Sequence, residues 1–265
     1  MREVLTKIAR EVISFLYEEK DKQGIDKIIG KHENDVTRVI DKKSEELIFD
    51  RLEHSGYKFM FVSEEAGVIN KGNYEYIAVI DPLDGSTNYL SGIPWSSVSI
   101  AIYRREENNL LSSLSGVVGN IFTNKIYSYD DNFAYIDELK VSEKIKPPEK
   151  LLLLAYFSRS KLPLIKNFLD KLNADYKIRS LGSASLDMIL VCTGKASMYF
   201  DVRGKLRNVD IAASSNFCKR LGIIPLNSKL EELKVGIKNV EQIQEVILSS
   251  DQNLLNLMSQ TLQKA

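Results

Sequence analysis

The sequence predicts an α/β fold in the broad sense, with sheets layered against helices. Three observations carry that class. Apolar residues recur at three- and four-residue spacing in several segments, short β-branched and aromatic runs stand between them, and the two kinds of segment alternate in both halves of the chain. Val4, Leu5, Ile8, Ala9, Val12, Ile13 and Leu16 line one face of a first helix. A second helix follows Thr37, with Val39, Ile40, Leu47, Ile48 and Leu52 on its apolar face. Strands are expected near 58–62, 76–80, 97–103 and 115–122. The stretch 142–150, SEKIKPPEK, is polar and carries Pro147-Pro148, which marks it as the boundary between two lobes. Beyond it, Leu151 to Phe157 reads as a buried strand, 161–172 as a helix and 176–180 as a short strand. A helix at about 183–193, a strand at 196–201, a helix at about 209–221 ended by Gly222, and a closing helix from about 251 complete the chain.

Composition removes several classes of function. The chain has 265 residues, enough for one large domain or two lobes sharing a core. Its 36 Lys+Arg balance 36 Asp+Glu, so there is no broad electrostatic footprint for nucleic acid or an anionic membrane. Two cysteines, Cys192 and Cys218, are too few for a disulfide framework, and with two histidines they leave no closed structural zinc set. No apolar run reaches the roughly 18 residues of a membrane span, and the N-terminus does not read as a signal peptide. The expectation is a cytoplasmic protein that acts on a small molecule.

The sharpest local signal is Asp81-Pro82-Leu83-Asp84-Gly85-Ser86-Thr87-Asn88, directly after the apolar strand Tyr76–Ile80. Both carboxylates are expected where the strand ends and the chain turns. Pro82 fixes the backbone and Gly85 permits positive φ or a close approach. Ser86 and Thr87 offer hydroxyls and free N–H groups at a helix start, which suits an anion. Two acids beside an anion would repel it, and a divalent cation between them resolves the conflict. The all-oxygen donor set suits Mg²⁺ rather than Zn²⁺. Read alone, the segment is also compatible with a turn bearing ordinary capping residues. Three more acids are weaker signals. Glu64-Glu65 ends a strand and reads equally well as solvated, Asp210 stands at a helix start where an N-cap is the simpler reading, and Asp41 sits on the polar side of the second helix.

Taken in order, these acids form a pattern. Asp41 after Thr37, Glu64-Glu65, the Asp81–Asn88 segment and Asp210-Ile211-Ala212-Ala213 make the sequence resemble the inositol monophosphatase superfamily, which includes archaeal-type fructose-1,6-bisphosphatases. The resemblance covers about residues 31 to 213. It implies an αβαβα five-layer sandwich with a lobe at 1–145 carrying most metal ligands and a lobe at 146–265 carrying the substrate pocket. It also implies a Mg²⁺-dependent phosphomonoesterase with two to three ions per site, commonly a homodimer. Carried over, the metal ligands fall on Glu64, Asp81, Asp84, Asp210 and the Leu83 carbonyl. Asp41, Glu64 and Ser86, the last in place of the family's usual Thr, would position or deprotonate the attacking water. Asp84→Ala is then expected to abolish phosphate release without loss of the fold.

The implied substrate contacts are Asp84, Gly85, Ser86, Thr87, Gly182, Ser183, Ala184 and Asp210. Val209 replaces the family's usual Trp before the late Asp, a change in packing more than in ligation. Arg203 stands roughly where inositol-specific members carry Glu, and Arg179 precedes the Gly-Ser-Ala segment. A guanidinium at either place suits the second phosphate of a sugar bisphosphate. Arg203, Lys205 and Arg207 read equally well as a solvated basic surface. Two other functions stay open: a 3′-phosphoadenosine 5′-phosphate phosphatase, which shares the metal motif, and a regulatory binding protein. Gly194-Lys195-Ala196-Ser197 lacks the earlier glycine of a P-loop.

Overall fold

The computed structural model describes residues 1–32, 35–141, 146, 148–263. Helix α1 (Arg2–Glu19) leads to a hairpin of β1 (Ile28–His32) and β2 (Asp35–Arg38), then α2 (Val39–Glu53). Strands β3 (Phe59–Ser63), β4 (Gly67–Ile69) and β5 (Tyr76–Asp84) follow, and a single turn of helix, α3 (Ser86–Leu90), caps β5. Then come β6 (Ser97–Arg104), β7 (Ser115–Asn120), β8 (Ile126–Tyr129), β9 (Ala134–Ile136) and β10 (Leu139–Lys140). The second half holds β11 (Leu151–Tyr156), α4 (Leu162–Asp170), β12 (Tyr176–Arg179), α5 (Ala184–Cys192), β13 (Met198–Asp201), β14 (Leu206–Arg207) and α6 (Asn208–Arg220). It ends with β15 (Gln242–Ile243), β16 (Val246–Ser249) and α7 (Gln252–Leu262).

Strands β3 to β10 form one eight-stranded sheet in the order β10-β9-β8-β7-β6-β5-β3-β4, and only the β3–β5 pair is parallel. A four-stranded sheet, β12-β11-β13-β16, is built from the second half alone. Three apolar clusters account for the layering. The stripe of α1 predicted from spacing packs with Ile40, Ile48 and Leu52 of α2 onto one face of the large sheet. Leu5, Ile13 and Leu16 there are at most 2% exposed, each burial contributing about 1.5–3 kcal/mol. Helices α5 and α6 fill the space between the two sheets, and their Leu186, Met188, Ile211 and Phe217 join Met60, Val62 and Val79 of the large sheet and Leu154, Tyr199 and Leu248 of the small one in a single cluster. Helices α4 and α7 cover the far face of the small sheet through Phe168, Leu255 and Met258. The layers therefore run helix, sheet, helix, sheet, helix.

Three features depart from the sequence reading. Strand β5 does not end at Ile80; it runs on through both acids to Asp84, with a break in register between Asp81 and Asp84. The β1–β2 hairpin, the short strands β4 and β8–β10, and β14–β16 carried no usable periodicity. Cys192 of α5 and Cys218 of α6 are joined by a disulfide, 5.2 Å between Cα atoms, inside the middle helical layer. The stretch 142–150 named as the lobe boundary lies largely outside the described residues. No described helix is long and apolar enough to cross a membrane.

Candidate active site

The site is made where β5, α3, α5 and α6 converge. The irregularity in β5 turns the chain so that Asp81 and Asp84, three residues apart, reach one cavity of about 280 Å³. Asp81 is 2% exposed, and its Oδ1 accepts from the Leu83 N–H at 3.0 Å. Gly85 then takes φ +84°, the left-handed conformation that glycine adopts without strain. An added Cβ there would meet the Gly182 carbonyl at 3.0 Å and the Trp95 carbonyl at 3.1 Å, so this glycine also allows two backbones to approach. Asn88 ties the same two loops together, its Nδ2 donating to the Trp95 and Leu181 carbonyls at 2.8 and 2.6 Å.

Asp84 lies over the start of α5. Its carboxylate accepts from the Ala184 N–H at 3.1 Å, the Ser185 N–H at 2.9 Å, Ser183 Oγ at 2.5 Å and Ser97 Oγ at 3.2 Å. Unpartnered amides at a helix start favour an anion, and here a side chain of the protein takes that place. Asp210 belongs to the first turn of α6, and its Oδ2 accepts from the Arg207 N–H at 2.7 Å. It is therefore the third residue of the helix, bonding back to the N-cap Arg207 rather than being the N-cap itself, and it also lines the cavity. Glu64 follows β3 and reaches the same space from the other side. Carboxylate oxygens of Glu64, Asp81 and Asp210 lie within 4.8 Å of one another, close enough to share a cation.

Crowding four acids in a buried place has an electrostatic cost. Burial, then the charges of Glu64, Asp84 and Asp210, push the Asp81 carboxyl well above the usual carboxylate range. Burial pushes Asp84 up to about 6, against the donors from Ser183, Ser185 and Ala184. Burial likewise pushes Asp210 up to about 7, although the Arg207 guanidinium pulls the other way. A divalent cation would relieve this strain by favouring the ionised forms of Asp81, Asp84 and Asp210, and an all-carboxylate set is the donor chemistry that Mg²⁺ takes.

The remaining residues singled out from sequence fall in different places. Leu83, Gly85, Ser86, Thr87, Gly182, Ala184 and Arg203 line the cavity with the acids. Ser183 is fully buried behind it, bonded to Asp84. Asp41 is only 3% exposed and caps α2 through the Arg38 N–H at 2.8 Å, so it is not on a solvated face, though it does not line the cavity. Arg179 is exposed and bonds the Ile178 carbonyl, outside the cavity. Arg203 pairs with Asp201 through Nε at 3.0 Å and a second nitrogen at 2.5 Å, and its guanidinium lies 4.7 Å from the Tyr156 ring centroid. It is thus a fixed part of the wall and not a freely solvated charge, with its side chain 34% exposed. Lys205 is exposed and does not line the cavity.

Sequence reasoning missed Tyr156, Tyr199 and Arg207 as parts of the cavity. The two tyrosines stood in runs that read as core strands, and Arg207 read as basic surface. Tyr156 is held from behind: its hydroxyl donates to Asp187 at 2.6 Å and accepts from the Gly182 N–H at 2.5 Å. Asp187, fully buried in α5, also accepts from Trp95 Nε1 at 2.8 Å, and burial pushes its carboxyl up to about 7.

The family model described as the inositol monophosphatase family matches residues 1–260. An inositol-1-monophosphatase of Aeropyrum pernix is 29% identical over 264 residues, covering 97% of this chain and 95% of that protein. A fructose-1,6-bisphosphatase/inositol-1-monophosphatase of Methanocaldococcus jannaschii is 28% identical over 255 residues, covering 96% and 94%. A solved structure described as an inositol monophosphatase-fructose 1,6 bisphosphatase superposes with a TM-score of 0.79 at 27% identity, covering 98% of each chain.

Proposed function

The chain belongs to the inositol monophosphatase family, a family of phosphoric monoester hydrolases, and from that premise we propose that it hydrolyses small sugar or polyol phosphates with Mg²⁺. Fructose-1,6-bisphosphate and inositol-1-phosphate are the substrates proposed first, after the activities named for the archaeal relatives. The observation that carries this reading is the convergence of Glu64, Asp81, Asp84 and Asp210 on one cavity beside the Gly85–Thr87 turn. The same reading takes the protein as cytoplasmic and homodimeric, with lobes at 1–145 and 146–265 that each contribute a sheet.

In this proposal Glu64, Asp81, Asp84, Asp210 and the Leu83 carbonyl hold two to three Mg²⁺ ions. When bound, Mg²⁺ supplies a Lewis acid that makes water nucleophilic near neutral pH and offsets charge on the transferring phosphoryl group. The protein's own groups do the positioning. Gly85 lets the backbone turn so that the residues from Gly85 to Thr87 line the phosphate end of the cavity, where amide donors suit phosphate oxygens. Ser86 Oγ accepts a hydrogen bond from the attacking water and relays its own proton to an ionised carboxylate of the site, with Glu64 helping to place that water and Asp41, outside the cavity lining, acting only at one remove. Asp84 and Asp210 contact the substrate hydroxyls. Tyr156, held by Asp187, and Arg203, held by Asp201, complete the lining of the cavity as fixed side chains.

Arg203 favours a substrate with a second phosphate, because a guanidinium fixed at the wall needs little further ordering to accept one. The test is phosphate release with Mg²⁺ from fructose-1,6-bisphosphate, inositol-1-phosphate and 3′-phosphoadenosine 5′-phosphate side by side, compared by kcat/KM. Strong turnover of either sugar phosphate supports the proposal. Preference for the nucleotide moves the enzyme to adenosine phosphates, and no release from any of them overturns it.

A further inference from the structure

Arg207 connects the cation cluster to the fold in a way that the hydrolytic mechanism does not use. It is the last residue before α6, and its backbone is pinned twice. Its N–H donates to Asp210 Oδ2 at 2.7 Å, and it pairs with Gln242 across the β14–β15 ladder. The side chain reaches back over the cavity. One guanidinium nitrogen bonds the Glu64 carboxylate, 143 residues away in sequence, and lies 3.4 Å from Asp210 Oδ1. Glu64 and Asp210 are two of the three acids whose oxygens gather within 4.8 Å. Among the ion pairs of the described residues, those of Arg207 are the ones that reach this cluster. Arg203 is matched by its own Asp201.

Resting on the metal-dependent reading above, we propose that Arg207 is an internal counter-ion whose guanidinium contests the oxygens of Glu64 and Asp210 with an incoming divalent cation, and so sets the cation concentration at which the site fills. Two positive charges cannot share those oxygens at hydrogen-bond distance without strong repulsion. Filling the site therefore requires the guanidinium to swing away while its backbone, held by the cap and the ladder, stays in place. The arginine keeps four crowded carboxylates compatible with the fold, at the expense of affinity for the cation.

The test is calorimetric titration of the full chain with Mn²⁺ or Mg²⁺ alone, without substrate, comparing wild type with Arg207→Met and Arg207→Lys. Circular-dichroism melts of each protein without added metal accompany it. Arg207→Met keeps the backbone cap and removes only the charge and fork, so it should bind the cation at least about tenfold more tightly and melt earlier without metal. Arg207→Lys retains a competing charge and should stay within about threefold of wild type. If Arg207→Met does not fold, Arg207→Gln serves as the neutral variant with the same expectation. Equal or weaker cation binding by a folded neutral variant, with wild type binding normally, overturns the counter-ion role alone. Absence of binding by wild type and neutral variant alike overturns the metal-dependent reading, and this inference with it.

Discussion

Asp84 separates the demands of ligation from those of the fold. Its removal was expected from sequence to cost activity and nothing else, but the carboxylate also accepts from two backbone amides of α5 and two serine hydroxyls. Asp84→Ala strands the Ala184 and Ser185 amides, at about 1–3 kcal/mol each for a buried donor left without a partner. Against this stands relief of charge. Burial raises the Asp84 carboxyl from its ordinary 3.8 to about 6, which at pH 7.5 is a penalty on the order of 3 kcal/mol for the metal-free protein. The sign follows from the raised value: stability from this group is complete below about pH 4 and is lost as pH rises through about 6. Asp84→Asn removes the penalty while keeping one acceptor oxygen, at a loss of roughly one hydrogen bond, about 1–3 kcal/mol. Metal-free Asp84→Asn should therefore equal or exceed wild type by up to about 2 kcal/mol at pH 7.5, with Asp84→Ala below it by about 1–3 kcal/mol. Both variants should lose at least about 100-fold in phosphate release and most of the stabilisation that Mg²⁺ gives wild type. Urea melts with and without Mg²⁺, beside a phosphate assay, measure all of this. An Asp84→Asn protein less stable than Asp84→Ala would refute the hydrogen-bond and charge reasoning, and one that keeps wild-type turnover would refute the ligand assignment.

Three further outcomes follow from the same geometry. Gly85→Ala should destabilise by about 1–3 kcal/mol, because it combines positive φ with backbone carbonyls at 3.0 and 3.1 Å; a melt within error of wild type would contradict the close approach. Asp187→Asn should gain stability relative to wild type progressively from about pH 4 to about pH 7 and level off above that, since a carboxyl raised from 3.8 to about 7 contributes fully below the lower value and has lost its contribution once pH passes the upper; a difference independent of pH, measured by urea melts, would remove the account. Arg203→Ala should lower kcat/KM for fructose-1,6-bisphosphate at least about tenfold more than for inositol-1-phosphate, and equal losses would remove the case for a second phosphate at that wall.

Much of the site was legible because its central acids are local in sequence. Asp81 and Asp84 flank a Pro and precede a Gly, and that grouping announces a bend beside carboxylates whatever the rest of the chain does. The same Pro and Gly signals hid the continuation of β5 to Asp84, because turn chemistry and a break in strand register look alike along one chain. Asp41 was placed on a polar face by its helical spacing, but its burial depends on neighbours from other parts of the chain, which periodicity does not report. Arg207 and Tyr156 were invisible for a related reason: their partners, Glu64 and Asp187, lie 143 and 31 residues away. The large helices and central strands were read well because their apolar spacing is long enough to count. Strands of two or three residues, such as β9, β10 and β14, are too short to carry a period.

The most direct measurement takes the wild-type protein, strips divalent cations with a chelator, and follows phosphate release from fructose-1,6-bisphosphate and inositol-1-phosphate as Mg²⁺ is returned. Release should vanish on stripping and return in a saturable way with Mg²⁺, and Asp84→Asn should stay silent throughout. Release that persists at full rate in the chelated protein would contradict the assignment of Glu64, Asp81, Asp84 and Asp210 as the ligands through which this site works.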